Sequence, residues 1–272
     1  MTSVVNNTEL TAKIEAVING VRASSPLVHC ITNIVVANFT ANALLAAGAA
    51  PAMVDAPEEA GILAGVAGAL LINLGTVTAA QAAGMSLAIA SANSAGVPWV
   101  LDPVAIGALP MRTALAHQFA ALHPAVIRGN ASEIAALAGG TGGRGVDSTD
   151  SPDEVAEVAR HVARSFGTVV AMSGAVDLIT DGVRTIRVSA GNALLTRVTG
   201  IGCSLGALIG ACSAVTEDRL VAAAAATAWV CAAGDAAAAA GGGTGSFALG
   251  WLDALDLLSA AAISGKAGVT LS

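Results

Sequence analysis

The 272-residue chain is long enough to bury a sizeable core without disulfide staples. It is 55% hydrophobic and 11% charged, with a net charge of −7 and no basic cluster, which excludes the phosphate neutralisation that nucleic-acid binding requires. Aromatic residues make up only 3% and tyrosine is absent, so alanine, glycine and valine must do most of the packing, a composition suited to close helix-on-sheet contacts.

Helical and strand patterns alternate from the start. Thr8 to Arg22 has the apolar spacing of an amphipathic helix, and Leu27 to Thr32 reads as a strand ending in polar residues. Asn38 to Ala47 returns to helix. Leu70 to Leu74 (LLINL) is a short apolar strand followed by Gly75-Thr76, and Ala79 to Ala95 is a helix. Pro98 to Leu101 is a strand that stops at Asp102-Pro103. Ala125 to Ile127 is a short strand leading into RGNASEIAAL. Gly139 to Asp153 reads as a flexible loop, Pro152 to Ser165 as a helix with one polar side, and Thr168 to Met172 as a strand ending at Ser173-Gly174. Asp177 to Thr180 and Arg184 to Val188 form a hairpin pattern around Asp181-Gly182. Alanine-rich helices follow to about Ala262, with Gly241 to Phe247 as a second loop. Leu220 to Ala240 is the most apolar stretch. Asp235 interrupts it and alanine is a weak membrane former, so a buried core helix is expected rather than a membrane span.

Apolar strands alternating with helices of about 12 residues predict one α/β domain over residues 1–272, with a mostly parallel central sheet covered on both faces. An eight-stranded barrel is the rival architecture, and the hairpin near Asp181 favours an open mixed sheet. The N-terminus has no basic start followed by an apolar run, so no export signal is expected. Cys30, Cys203, Cys212 and Cys231 match no zinc spacing and are expected as free thiols in a reducing cytoplasm.

Ligands of open parallel sheets bind beyond the carboxyl ends of the strands. The polar residues expected there are His29, Thr32, Asn33, Asn73, Thr76, Asp102, Arg128, Asn130, Glu133, Ser173 and the Gly200 to Cys203 loop. Asp102 reads equally as a Mg²⁺-holding carboxylate and as an Asp opening a turn before proline. Arg128 offers a planar fork for phosphate. Asn130 is placed to cap a helix, which would make Glu133 the third residue of a capping box; alternatively Glu133 positions metal-bound water. GIGCSLGALIGA sets glycines at a helix N-terminus, where free N–H groups and the helix dipole favour anions and are expected to lower the pKa of the Cys203 thiol. It is neither a Walker loop nor a dinucleotide fingerprint. On composition alone Cys203 reads better as a packed small residue, and Cys212 and Cys231 as core. His117, His123 and His161 read as solvated, and adjacent His29 and Cys30 as structural rather than a catalytic pair.

Five ordered motifs go further. SPLVHCITNIVVANFTANALLAAGAAPAM (Ser25 to Met53), LDPVAIGA (Leu101 to Ala108), IRGNASEI (Ile127 to Ile134), VVAMSGAVDLI (Val169 to Ile179) and VTGIGCSLGALIGA (Val198 to Ala211) resemble the hydroxyethylthiazole kinases of thiamine salvage, in order from about Ser25 to Leu258. The resemblance implies a ribokinase-like three-layer α/β/α fold and a homotrimer with active sites between subunits. It implies ATP and Mg²⁺ as cofactors and the thiazole alcohol, 4-methyl-5-(2-hydroxyethyl)thiazole, as the phosphate acceptor. It assigns Asn33, Met53 and Gly200 to the thiazole, Arg128, Ser173 and Gly202 to ATP, Asp102 and Glu133 to Mg²⁺, and Cys203 to catalysis at the place where sugar-kinase relatives carry Asp. No nucleic acid or membrane partner is implied.

The chain departs from that family's pattern in three places. Ile201 is bulky between two glycines where a small residue is usual, Ala105-Ile106 replaces Gly-Ala, and Ser173 replaces Thr while keeping the hydroxyl. Two other readings compete: a nucleotide-dependent NAD(P)H-hydrate dehydratase-like lyase of the same fold, and a non-catalytic thiazole-binding homologue, which Ile201 suggests.

Overall fold

The structure, a computed structural model, describes residues 7–139 and 152–272. In chain order the elements are α1 (Asn7–Ser24), β1 (Leu27–Ile31), α2 (Ala37–Ala46), β2 (Ala50–Ala52), α3 (Pro57–Ala64), β3 (Ala69–Asn73), α4 (Ala79–Ala95), β4 (Trp99–Asp102), α5 (Pro110–Ala120), β5 (Val126–Asn130), α6 (Ala131–Leu137), α7 (Pro152–Phe166), β6 (Val169–Ser173), β7 (Asp177–Thr180), β8 (Thr185–Val188), α8 (Ile201–Ser213), α9 (Arg219–Ala239), α10 (Thr244–Leu257), α11 (Ala260–Lys266) and β9 (Val269–Leu271).

The strands form one open sheet in the order β2-β1-β3-β4-β5-β6-β7-β8-β9, which rules out the barrel. Pairing is parallel from β2 through β6 and antiparallel from β6 through β9. β3 and β4 are buried at every position, as expected of parallel strands covered on both faces. Side-chain alternation divides the core. Val28, Cys30, Leu71, Val100, Val126 and Ala171 face α1, α2, α8 and α9, whereas Ile31, Leu70, Ile72, Leu101, Ile127 and Val170 face α4 to α7. The fold is a three-layer α/β/α sandwich with a mostly parallel centre.

Local chemistry explains the ends. Thr78 and Gln81 form a reciprocal capping box on α4, and Gly96 closes the same helix in the left-handed conformation. Pro51 sits on the edge strand β2, where its missing N–H breaks no central ladder. α9 is long and apolar enough to cross a membrane, but in the fold most of its surface is buried among α1, α8, α10 and α11.

Residues 140–151 of the loop expected from Gly139 to Asp153 lie outside the described residues, and α7 already includes Pro152 and Asp153. Gly241 to Phe247 is not wholly loop, because α10 begins at Thr244. The cause is docking: Phe247 and Trp251 are fully buried, Trp251 Nε1 donates to the Val230 carbonyl at 3.2 Å, and Trp229 Nε1 donates to the Leu255 carbonyl at 3.0 Å. Burying two aromatic rings outweighs the weak helix propensity of the glycines.

Candidate active site

Parallel register brings the strand-end residues together. Asn73 lies beside Asp102, Leu101 pairs with Ile127 so that Asp102 neighbours Arg128, and Asn130 lies beside Ser173. Asn73, Asp102, Arg128 and Ser173 fall on the same alternation as Leu71, Val100, Val126 and Ala171, so all four face α8. Asn73 Nδ2 donates to Asp102 Oδ2 at 2.8 Å. Arg128 Nη1 stands 3.8 Å from the same oxygen, and Arg128 Nη2 donates to Ser173 Oγ at 3.1 Å. Asp102 is completely buried and its Oδ1 has no hydrogen-bond partner among the described residues. Burial raises its carboxyl to about 7, with Arg128 pulling down, Glu133 pushing up and the Asn73 amide pulling down.

α8 lies on this layer because of its glycines. A methyl at Gly206 would stand 3.0 Å from the Leu71 side chain and 3.6 Å from Asp102 Oδ2, and one at Gly202 would stand 3.2 Å from both Nη atoms of Arg128. With Gly210 against Val28 and Ala69, a glycine every fourth residue lets the helix backbone rest on the strand ends. Gly200 caps the helix at φ +101°, and Ser204 N–H donates to its carbonyl at 2.8 Å. Ile201 is buried in the core cluster on the α8 side and, with Gly202 and Leu205, lines the cavity beside Arg128.

Cys203 is partly buried, and the amides of Asn73 and Asn33 lie within hydrogen-bonding reach of its sulfur. The expected lowering of its pKa is overturned. Burial first, then the Asp102 charge, push the thiol up to about 11, against the smaller opposing pull of Asn73, Arg128 and Asn33. At neutral pH about one molecule in ten thousand then carries a thiolate.

Asn33 is held from below. A methyl at Gly75 would stand 2.6 Å from its Nδ2, so only glycine leaves room for the side chain. Asn33 Oδ1 accepts from Val35 N–H at 3.0 Å, and Ile34 N–H donates to Thr76 Oγ1 at 2.9 Å, joining the loops after β1 and β3. Met53 follows β2, partly buried against the α8-side core, and takes no part in the polar network. His29 falls on the opposite alternation. Burial keeps its ring neutral, with Nε2 2.6 Å from the Val54 carbonyl.

Glu133 is a capping residue in the structure. Its Oε2 accepts from Asn130 N–H at 2.8 Å while Asn130 Oδ1 accepts from Glu133 N–H at 2.9 Å, and its Oε1 accepts from Ala105 N–H at 2.8 Å. Ala105 makes that bond from φ +57°, a left-handed conformation that suits glycine. Ala105→Gly is therefore expected to stabilise the protein by about 0.5–1 kcal/mol, read as a small rise in Tm, with catalysis unchanged or improved.

A cavity of about 580 Å³ opens beside Arg128 and Ser173 and continues past Asp177, Asn192, Leu195 and Cys231. Cys231 is more than core: its thiol donates to Asp177 Oδ2 at 3.2 Å, and Gly174 N–H donates to Asp177 Oδ1 at 2.9 Å. Neither residue was singled out from sequence, because an apolar helix hides Cys231 and a hairpin start hides Asp177. The cavity has the volume of a cofactor-sized site, with a cationic fork and a hydroxyl at one end and apolar walls at the other.

The sequence profile of the hydroxyethylthiazole kinase family matches residues 18–261. The chain is 56% identical over 239 residues to a hydroxyethylthiazole kinase of Clavibacter sepedonicus, covering 88% of this chain and 87% of that protein. A solved hydroxyethylthiazole kinase structure from Pyrococcus horikoshii superposes with a TM-score of 0.88 at 40% identity, covering 95% of this chain and 98% of that one. A Bacillus subtilis pyridoxal kinase solved with ADP shares the fold alone, with a TM-score of 0.57 at 17% identity over 76% of this chain and 90% of that one. The sandwich is thus ribokinase-like, and the chain belongs to the hydroxyethylthiazole kinase family.

Proposed function

We propose that this protein transfers the γ-phosphate of ATP to the hydroxyl of 4-methyl-5-(2-hydroxyethyl)thiazole, a phosphotransferase reaction of thiamine biosynthesis and salvage. The observation that carries the reading is the continuous network Asn73–Asp102–Arg128–Ser173 laid against the glycine-capped N-terminus of α8 at the mouth of the cavity. It brings a carboxylate, a guanidinium and free backbone N–H groups to one place, the set that phosphoryl transfer needs. Family membership supplies the alcohol.

In this reading Arg128, Ser173 and Gly202 bind the nucleotide phosphates, and the N–H groups from Gly200 to Cys203 meet the charge that develops on the transferred group. Asn33, Met53 and Gly200 hold the thiazole. Cys203 stays a thiol and orients the alcohol rather than acting as its base, since a proton affinity this high leaves almost no thiolate. Asp102, the buried carboxylate on the same face, takes the hydroxyl proton late in transfer.

The acidic pair also fits Mg²⁺. Asp102 Oδ1 is buried and unpartnered, and each Glu133 oxygen accepts only one N–H. Among the described residues no cluster of three or more acidic, His or Cys side chains could hold a metal alone. That suits a cation bound by one or two carboxylates together with water and phosphate. Mg²⁺ held by Asp102 and Glu133 would offset phosphate charge during transfer.

The same reading includes a homotrimer with sites between subunits. Ile34 and Val35, directly after Asn33, are 70% and 69% exposed, and adjacent apolar side chains at the edge of a site suit cover by a neighbouring subunit. Four free cysteines suit a reducing cytoplasm. No nucleic acid or membrane partner enters the reading.

The test is ADP release from ATP and Mg²⁺ that depends on the thiazole alcohol. Alcohol binding without ADP release would mean a binding protein, and turnover of hydrated NADH would mean a lyase. Cys203→Ala is expected to lower kcat more than tenfold with little change in Tm. An unchanged rate would remove Cys203 from the chemistry.

A further inference from the structure

Asn73 is 1% exposed, and every polar atom of its side chain is engaged. Oδ1 accepts from Gly75 N–H at 2.9 Å, closing a turn after β3. Nδ2 carries two hydrogens. One goes to Asp102 Oδ2 at 2.8 Å, and the same amide also pulls on the Cys203 thiol. The turn it closes is the one whose Gly75 packs under Asn33. One planar group thus links β3, β4, α8 and the loop that supports Asn33.

We propose that Asn73 is a positioning residue for phosphoryl transfer: its amide fixes the Asp102 carboxylate and the Cys203 thiol relative to each other. The proposal rests on the reading that those two side chains face the transferring group. A displacement of about 1 Å at such a site can cost about 100-fold in rate. The competing explanation is that Asn73 only closes the turn through Oδ1.

Asn73→Asp separates the two explanations. It keeps an oxygen for Gly75 N–H and replaces the donor to Asp102 by an acceptor. At pH 8 kcat is expected to fall about 100-fold, with both KM values within about threefold of wild type, and Tm falls too because a second buried carboxylate now stands beside Asp102. In a Cys203→Ala background the same substitution should cost less than tenfold, because the two residues act on one geometry. A crystal structure of the Asn73→Asp variant should show the Asp102 and Cys203 side chains displaced over an unchanged turn. Wild-type kcat in Asn73→Asp, or equal losses in the presence and absence of the thiol, would overturn the proposal and leave Asn73 a turn residue. Absence of ADP release from the wild-type protein would instead bring down the functional reading, and this proposal with it.

Discussion

Asp102→Asn is expected to lower kcat about 1,000-fold while leaving the protein at least as stable as wild type at pH 8. The rate loss follows from position: Asp102 is the carboxylate that touches Asn73, faces Arg128 and lies beneath Gly206 in the second turn of α8. Removing a preorganised charge from a dry site commonly costs 100- to 1,000-fold, and in the proposed reaction a proton acceptor and a Mg²⁺ ligand would go with it. The stability follows from burial. The carboxyl is raised from 3.8 to about 7, so the unfolded chain loses this proton near pH 4 and the folded chain keeps it up to about pH 7. Between those values the folded state binds more protons than the unfolded one, and stability falls as pH rises. Above that window the folded protein carries a buried charge that costs about 1–4 kcal/mol, and an amide of the same shape does not carry it. Melting curves between pH 4 and 8 should therefore slope downward more steeply for wild type than for Asp102→Asn. A variant markedly less stable than wild type at pH 8 would show that Asp102 holds the fold rather than straining it.

The same residue shows why some of the site was legible from sequence and some was not. β1, β3, β4, β5 and β6 announce themselves as short apolar runs ending in a polar residue, and in parallel register those endings must meet. Asp102, Arg128 and Ser173 could thus be picked out by position alone. β2 (Ala50-Pro51-Ala52) and the three-residue β9 have no run to read, and tertiary pairing at the sheet edges makes them strands. α3 and α5 begin at Pro57 and Pro110, where proline marks the helix start but no side chain caps it. The acidity of Cys203 came out with the wrong sign because the helix N-terminus was weighed without its surroundings. Burial and the Asp102 charge belong to tertiary structure, and together they exceed a dipole effect that falls off within one turn. Asn73 was visible as a strand-end amide, but only Gly75 of its three partners is local; the others come from the end of β4 and from a helix more than 100 residues away.

Gly200→Ala should be the other severe substitution, with kcat down about 100-fold and Tm lower by several degrees. Two independent constraints fall on this position. Its φ of +101° lies where an L side chain is strained, at a cost of about 1–2 kcal/mol. A methyl would also stand 2.9 Å from Phe39 Cδ1 and 3.1 Å from the Val36 side chain. Phe39 cannot easily retreat, because its ring stacks on Trp251 at 5.6 Å between centroids, and Trp251 is anchored through Nε1 to the Val230 carbonyl on α9. The contact would therefore be relieved at the weaker side, the first turn of α8, which begins with the Ser204 N–H bond to the Gly200 carbonyl. Moving that turn moves Gly202 off the Arg128 guanidinium and Cys203 away from Asn73 and Asn33. Adding Phe39→Leu to Gly200→Ala distinguishes the two constraints: it makes room for the methyl without relaxing φ, so it should recover part of the lost rate but not all of it. Full recovery would assign the whole effect to the aromatic contact, and no recovery would assign it to the backbone together with the Val36 contact. Gly200→Ala with wild-type kcat would show that the α8 N-terminus does not touch the reacting group, since the substitution cannot leave that turn in place.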